Sequence, residues 1–406
     1  MADQRIKVLH IITRLVRGGA QRIVLDLLKR LPRDEFDVVL AAGEQTGDEG
    51  SLWPEAEQLG VTLVRIPSLV REISPFKDIR AYGELRRAVR THHPVIVHAH
   101  TSKAGLLGCM AAKKEGVPSV ILAPHGHILA EGAQIPGVPV RGWKRTLLAM
   151  AAKHNARYAD VIVAPNQAEL DDGIAHDLWT SDHCFVVPNG VDTTRFRPGD
   201  STKARTRMGL NAASPIIGVI ARLTREKGVD IAIEALAKLE GVQGVVIGDG
   251  PERKALEALV SAYNMATRVR FLGARDDVHE LLPAFDAVLV PSRTEAHGLV
   301  AAEALACEIP VVAVAIGGLK SLIIHEQTGL AVSPGPNAAA ELATALRRLI
   351  ADKTLARSLA LTGRQHIFEN FSLDVMAEKT VDLYRRLASS SSVGKSHSMG
   401  KPMMLE

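Results

Sequence analysis

Pro291-Ser-Arg-Thr-Glu295-Ala-His297-Gly298-Leu299-Val300-Ala-Ala-Glu303-Ala-Leu-Ala-Cys307 is the stretch on which the reading of this chain turns. An apolar run at 287–291 predicts a strand leading in. A polar turn ends at Gly298, and 299–307 has the composition of a helix. A strand–loop–helix unit of this kind leaves the N–H groups of Gly298, Leu299 and Val300 able to face an anion. Glu295 falls in the loop and Glu303 about one turn inside the helix. A phosphate bound between them would have a carboxylate on either side, each able to accept hydrogen bonds from sugar hydroxyls. Two carboxylates eight residues apart also occur as a solvated loop residue and a helix-surface residue, so the pair alone leaves both readings open.

The same alternation runs through the whole chain. Short apolar runs at 7–12, 37–42, 61–66, 95–98, 119–123 and 161–165 alternate with helical segments, and a second series follows at 216–221, 244–247, 269–272, 287–290 and 311–314. Continuous apolar strands separated by helices predict parallel sheets covered on both faces, an α/β class with two Rossmann-like doubly wound domains. The expected first domain is 1–185. The turn-rich crossing from Val186 to Pro198, with Asn189-Gly190 in it, separates this from a second domain at 190–369. A helix within 370–388, amphipathic through Val375, Met376, Val381, Leu383, Tyr384 and Leu387, follows. The tail 389–406 has no packing pattern and is expected to be disordered.

Composition narrows the function. The chain has 406 residues, 47% hydrophobic and 23% charged, which suits two domains with their own cores and excludes wholesale disorder. A net charge of +4 and 4% aromatic residues give neither the basic surface nor the stacking platform of a nucleic-acid binder. Cys109, Cys184 and Cys307 lie far apart without metal spacing, as in a reducing compartment. His10 and Arg14 break the N-terminal apolar run, so no signal peptide is expected, and Glu303, Glu308 and Pro310 interrupt the most membrane-like stretch. The expectation is a cytoplasmic protein. Between Arg71 and Arg157, however, fourteen Lys and Arg face five Asp and Glu. One helix there is expected to bury Ile79, Tyr82, Leu85 and Val89 beside Arg86, Arg87 and Arg90. Another alternates Trp143, Leu147 and Met150 with Lys144, Arg145 and Lys153. A solvated basic face and peripheral docking onto an anionic membrane both fit.

Further candidate groups sit where strands end. Gly18-Gly19, before a helix with Ile23, Val24, Leu27, Leu28 and Leu31 on one face, would let a ligand approach the backbone. His125 follows a strand, in Ala-Pro-His125-Gly-His127, where parallel sheets place ligand-facing loops. Arg222 and Lys227 lie in the loop after the first strand of the second domain, where two cations suit a diphosphate whose charge grows as it leaves. Gly248-Asp-Gly250 lacks a third glycine and is read as a tight turn.

The Glu295-x7-Glu303 spacing, with Arg222, Lys227, His125 and Asn189-Gly-Val-Asp192 in order around it, resembles the retaining, GT-B-type glycosyltransferases of family 4 over roughly residues 5–388. That resemblance implies two domains facing across a cleft, with the last helix completing the first. It also implies that Glu295 contacts the donor sugar, Glu303 binds the nucleotide ribose, and Arg222 and Lys227 hold the distal phosphate. His125 would contact the sugar, in preference to His127, and Gly18-Gly19 would lie near the phosphates. His297 stands where the family usually has Phe, and Ser321 where Gly-Gly-x-x-Glu usually ends. The implied reaction moves a sugar from a nucleotide-diphosphate sugar, with a UDP-sugar as the expected donor, to a glycan or lipid-linked acceptor. No cofactor and no nucleic-acid partner are expected. No carboxylate is placed as a glycosidase-type nucleophile, which favours same-face displacement with retention, and without an Asp-x-Asp cluster metal independence is expected. A sugar-nucleotide 2-epimerase of the same fold and a non-catalytic sugar-nucleotide-binding subunit remain the alternatives.

Overall fold

The apolar runs fold into two parallel sheets. The computed structural model describes residues 5–44, 50–126, 143–210 and 214–392, and the chain divides into two units, Met1–Pro188 with Leu373–Glu406, and Asn189–Ser372. The first sheet contains β1 (Ile6–Arg14), β2 (Phe36–Gly43), β3 (Thr62–Arg65), β4 (Ile96–His100), β5 (Ser119–Ala123), β6 (Val161–Ala164) and β7 (Cys184–Val186), in the order β3-β2-β1-β4-β5-β6-β7. The second contains β8 (Ile216–Ile220), β9 (Gln243–Ile247), β10 (Val269–Phe271), β11 (Ala287–Val290), β12 (Val311–Val314) and β13 (Leu330–Val332), in the order β10-β9-β8-β11-β12-β13.

Parallel neighbours cannot be joined by a tight turn, so each connection is a crossover, and the crossover helices cover the sheet. The second sheet shows why its strands read as unbroken apolar runs. Val245, Ile247, Val288 and Val290 pack into one core, and Val246, Ala287 and Leu289 into the core on the other face. Each strand order reverses once, between β1 and β4 and between β8 and β11. The loops leaving those strands diverge there and open a crevice at the carboxyl edge of the sheet, where doubly wound folds bind ligands. Gly18-Gly19 follows β1, Arg222 and Lys227 follow β8, and the 291–298 loop follows β11.

Several details differ from the sequence reading. The three-residue strands β7 and β13 were not expected, and β1 and β4 each run two residues further. Ile79 is not part of a buried stripe: it is 72% exposed, while Leu85 and Val89 further along the helix Pro75–His92 are buried. Around the start of that helix Ile73, just before it, Phe76 and Ile79 are all in solvent, 84%, 89% and 72% exposed. Much of the basic surplus is paired, Lys103 with Asp78, Arg80 with Glu84, Arg86 and Arg90 with Glu115, Lys113 with Asp160 and Lys153 with Asp177. Met150 is exposed, whereas the side chains of Trp143, Lys144, Arg145 and Leu147, and all of His127, lie outside the described residues. The final helix, Leu373–Ser392, continues past the expected end near Leu387. The Ser389 and Ser390 hydroxyls donate to the Arg386 carbonyl, so 389–392 is helical rather than a disordered tail. Among the described residues no helix is long and apolar enough to cross a membrane.

Candidate active site

In the second unit, three loops from the carboxyl edge converge on Glu295. The loop after β11 carries Glu295 itself, with its side chain 14% exposed. The loop after β8 brings Lys227, whose Nζ donates to Glu295 Oε2 at 2.7 Å, and Ser292 Oγ donates to the same oxygen at 3.1 Å. The two loops are tied together by Arg293, whose amide donates to the Glu226 carbonyl at 2.8 Å and whose guanidinium grips Asp230 through both terminal nitrogens. The loop after β12 closes from the other side, with the Gly318 amide on the Glu295 carbonyl at 3.1 Å. Gly317 has φ 44° and any Cβ there would collide with that same carbonyl, so the approach requires glycine.

The helix Leu299–Ala306 begins directly behind Glu295. Its cap, Gly298, has φ 94° and offers no side chain to the first turn, which leaves the amides of Leu299 and Val300 outside the helix's own bonding and available to an anion. Glu303 is half-buried on this helix. Arg222 is exposed and donates to Glu226 at 3.0 Å. The structure thus brings Lys227 and Glu295 into direct contact and holds Arg222 on the same loop as Lys227, paired with a carboxylate of its own.

His297 and Ser321, the two departures from the resembled pattern, are accounted for by packing. His297 is 4% exposed, lies against Phe371 at a ring separation of 6.0 Å, and has no hydrogen bond of good geometry at either nitrogen among the described residues. Burial pushes its pKa down to about 4, tempered only by a looser contact with the Asn189 backbone. It is a neutral ring filling an aromatic position. Ser321 turns inward and donates to the Gly318 carbonyl at 2.8 Å, bracing the glycine turn.

In the first unit, the β1–β4 switch point gathers histidines. His10 and His98 are register partners on adjacent strands, and His100, two residues on, shares their face of β4. His125 follows β5, half-buried, with Nε2 at 3.0 Å from His100 Nδ1. Both His125 (φ 54°) and Thr101 (φ 67°) have positive φ at the ends of neighbouring strands, a conformation uncommon for residues other than glycine. Burial holds His125 down to about 4 and His10 down to about 3, the latter with help from Arg33. Thr13 and Thr101 hydroxyls meet at 3.0 Å beside them, and Gly18-Gly19 is exposed at the start of the helix Gly19–Arg30.

Glu169 was missed by sequence reasoning. It is 7% exposed and accepts the Gly126 amide at 2.8 Å through Oε1, while Oε2 is buried without a partner among the described residues. Burial raises its pKa to about 7 against the opposing pull of that amide. The Asn166-x-x-Glu169 spacing marks a helix start, and Asn166 does cap the helix Gln167–Ala175. Nothing local points to Gly126. Among the described residues, His10, His98 and His100 each place a ring nitrogen within 4.8 Å of the others, close enough to hold a metal ion.

Two family models match the chain, Glycosyl transferases group 1 over residues 200–366 and Glycosyl transferase 4-like domain over residues 18–190. The alpha-maltose-1-phosphate synthase of Mycolicibacterium smegmatis is 30% identical over 318 residues, spanning 72% of this chain and 79% of the relative. The UDP-Gal:alpha-D-GlcNAc-diphosphoundecaprenol alpha-1,3-galactosyltransferase of Escherichia coli is 27% identical over 391 residues, spanning 94% of this chain and 97% of the relative. In three dimensions, HepE of Anabaena, crystallised with UDP and glucose, superposes with a TM-score of 0.80 at 24% identity, covering 94% of this chain and all of that one, 100%.

Proposed function

The chain belongs to the group 1 glycosyl transferases and has their two Rossmann-like GT-B domains, and from that premise we propose that it transfers a sugar from a UDP-sugar to a lipid-linked glycan acceptor, with retention and without a metal ion. The observation that carries the reading is the convergence of Lys227, Glu295 and the open amides of Leu299 and Val300 at one switch point. The Escherichia coli relative, whose name gives a UDP-Gal donor and a diphosphoundecaprenol-linked acceptor, supports the donor and acceptor classes.

In the proposed reaction the bond between the anomeric carbon and the diphosphate breaks as the acceptor oxygen attacks from the same face. The acceptor's proton passes to the departing phosphate oxygen. Lys227, Arg222 and the helix amides take up the charge that grows on the diphosphate, which is where fixed donors lower a barrier most. Glu295, relieved of Lys227, accepts from sugar hydroxyls, Glu303 accepts from the ribose, and Gly18-Gly19 is a further candidate donor contact. His125 offers its outer ring edge to a sugar oxygen.

Ile73, Phe76 and Ile79 support a membrane-bound acceptor and a peripheral, inner-face location. They project from the start of the helix after β3, hence from the carboxyl edge that also carries His125, with Lys77 and Arg80 among them. Burying each apolar side chain contributes about 1.5–3 kcal/mol, and each basic residue near an anionic leaflet about 1 kcal/mol.

Incubation with a panel of UDP-sugars, with and without an undecaprenyl-diphosphate-linked sugar, tests the reaction. Free UDP together with an α-glycosylated lipid, undiminished by EDTA, is the expected result. An isomerised donor, or no turnover with any donor, would overturn it. Sedimentation with anionic and neutral vesicles tests the surface: salt-sensitive binding to anionic vesicles, lost in Phe76→Glu, is expected, and indifference to vesicle charge would remove the membrane.

A further inference from the structure

Four buried groups of the first unit connect to His125 in an unbroken line. His98 Nδ1 lies 2.7 Å from the Tyr384 hydroxyl, and that hydroxyl lies 3.1 Å from His10 Nε2. His10 Nδ1 lies 3.0 Å from His100 Nε2, and His100 Nδ1 lies 3.0 Å from His125 Nε2. The ring centroids of His10 and His100 are 5.3 Å apart with planes 9° from parallel, and those of His100 and His125 are 5.2 Å apart. Such separations arise when imidazoles meet nitrogen to nitrogen along their edges. The fold makes this line from distant pieces: β1, β4, the end of β5 and the last helix.

A neutral imidazole has one N–H and one lone pair, and a hydroxyl donates once. Three assignments therefore keep all four links, but one of them, in which Tyr384 accepts from both His98 and His10, leaves its own buried O–H without an acceptor among the described residues and is set aside; two remain. In the first, every imidazole carries its proton on Nδ1: His98 donates to Tyr384, Tyr384 to His10, His10 to His100 and His100 to His125. In the second every donor is reversed. They differ at the ends. His98 Nε2 is buried with no partner among the described residues. The first assignment leaves a lone pair there and the second leaves an N–H, and an orphaned buried N–H is the rarer of the two. The line therefore runs from His98 outward. His125 receives a hydrogen bond at Nε2 and has Nδ1–H as its remaining polar group, with no partner among the described residues.

We propose that His98, Tyr384, His10 and His100 are positioning residues whose directional line holds His125 in the Nδ1–H tautomer, so that His125 meets the substrate as a neutral hydrogen-bond donor and not as a base. The inference deepens the proposed function and rests on His125 touching substrate in the transfer. The depressed titration of all four rings, driven by burial, keeps the line neutral in both directions. The tautomer of an imidazole is set by what its inner nitrogen bonds, and here that nitrogen's partner is set in turn, through His10, by the Tyr384 hydroxyl.

The test is a long-range proton–nitrogen correlation spectrum of the full chain carrying nitrogen-15 histidine, recorded near neutral pH without substrate. His125, assigned by its loss in His125→Gln, is expected to show the Nδ1–H pattern. In Tyr384→Phe the line loses its direction, and His125 is expected to become a mixture of tautomers. In the transfer assay the same variant should lose roughly tenfold in kcat with the donor KM little changed. Wild-type His125 protonated on Nε2 would overturn the proposal, as would a His125 pattern unmoved by Tyr384→Phe. One equivalent of tightly bound metal in the purified protein would also overturn it, because His10, His98 and His100 would then be ligands. If Tyr384→Phe does not fold, the wild-type spectrum still decides the direction and His10→Asn supplies the break. The spectrum is read without substrate. The expected spectrum combined with full activity in His125→Ala would therefore show that His125's place in the reaction had failed, while the direction of the line stood.

Discussion

Acid should destabilise the first unit well before ordinary carboxylate chemistry would, and the size of the effect follows from the buried rings. His10, His98, His100 and His125 all titrate below the ordinary 6.5, His10 at about 3, His125 at about 4 and the other two well below, because burial removes water from the charged form. In the unfolded chain each returns to its ordinary value. Above that value both states are neutral and nothing is lost. As pH falls through it, the unfolded chain takes up protons that the native fold cannot, so stability is lost from about pH 6.5 down toward the folded values. At about pH 5.5 each ring withholds about 1.4 kcal/mol, or about 5–6 kcal/mol for four. Glu169 works in the opposite direction. Its folded pKa, about 7, lies above the ordinary 4.5, and acidification from about pH 7.5 to 5.5 returns about 2 kcal/mol. The net loss is about 3–4 kcal/mol, a large share of the roughly 5–15 kcal/mol that holds a domain folded.

All three tryptophans, Trp53, Trp143 and Trp179, belong to the first unit, so tryptophan fluorescence follows its unfolding alone. With a urea dependence of about 2 kcal/mol per molar, the midpoint should fall by roughly 2 M across that interval. A midpoint that stays put would mean that the rings protonate freely in the native state, and the neutral line would not exist.

Arg222→Ala and Lys227→Ala should each lower kcat at saturating donor by an amount equivalent to about 2–4 kcal/mol, with thermal melting little changed; near-normal turnover in both would place the diphosphate elsewhere. Glu303→Gln should weaken calorimetric binding of free UDP, whereas Glu295→Gln should leave it and blur discrimination among UDP-sugars; the reverse pattern would exchange their roles. His297→Phe should stabilise the second unit by about 1–2 kcal/mol in scanning calorimetry, since it removes two buried nitrogens that lack good partners. A lower melting temperature would expose a partner for that ring.

What could be read from the sequence was whatever depends on neighbours in the chain. Apolar runs located eleven strands, and the loops after them located Lys227, Glu295 and His125. The three-residue strands β7 and β13 carry too few residues to show a pattern, and β7 is only half-buried along its length. Ile79 has the right helical spacing for burial, but it lies near the start of its helix, where no other described element covers it. The histidine line was hidden for a different reason. His98-Ala-His100 shows one face of β4, but His10 reaches it by strand pairing and Tyr384 comes from 286 residues beyond His98. Glu169 likewise reveals its helix start through Asn166, and its bond to Gly126 only in three dimensions.

The two units handle charge in opposite ways, and the proposed chemistry gives a reason. A diphosphate is permanently charged, yet each candidate cation is already covered, Lys227 by Glu295 and Arg222 by Glu226. A bare phosphate would have to compete with Glu295 for Lys227. A sugar nucleotide brings hydroxyls that can engage Glu295 as its phosphate engages Lys227, so recognition of the sugar and grip on the leaving group share one ion pair. At the sugar end of the same donor, the proposed same-face displacement would build positive charge at the anomeric carbon. An imidazolium beside it would oppose that charge, and a solvated histidine would be partly protonated at the pH of the cell. Burial lowers His125 to about 4, which keeps it an uncharged donor throughout. If His125 touches the donor sugar as proposed, the first unit's buried histidines would supply polarity without charge where charge would slow the reaction.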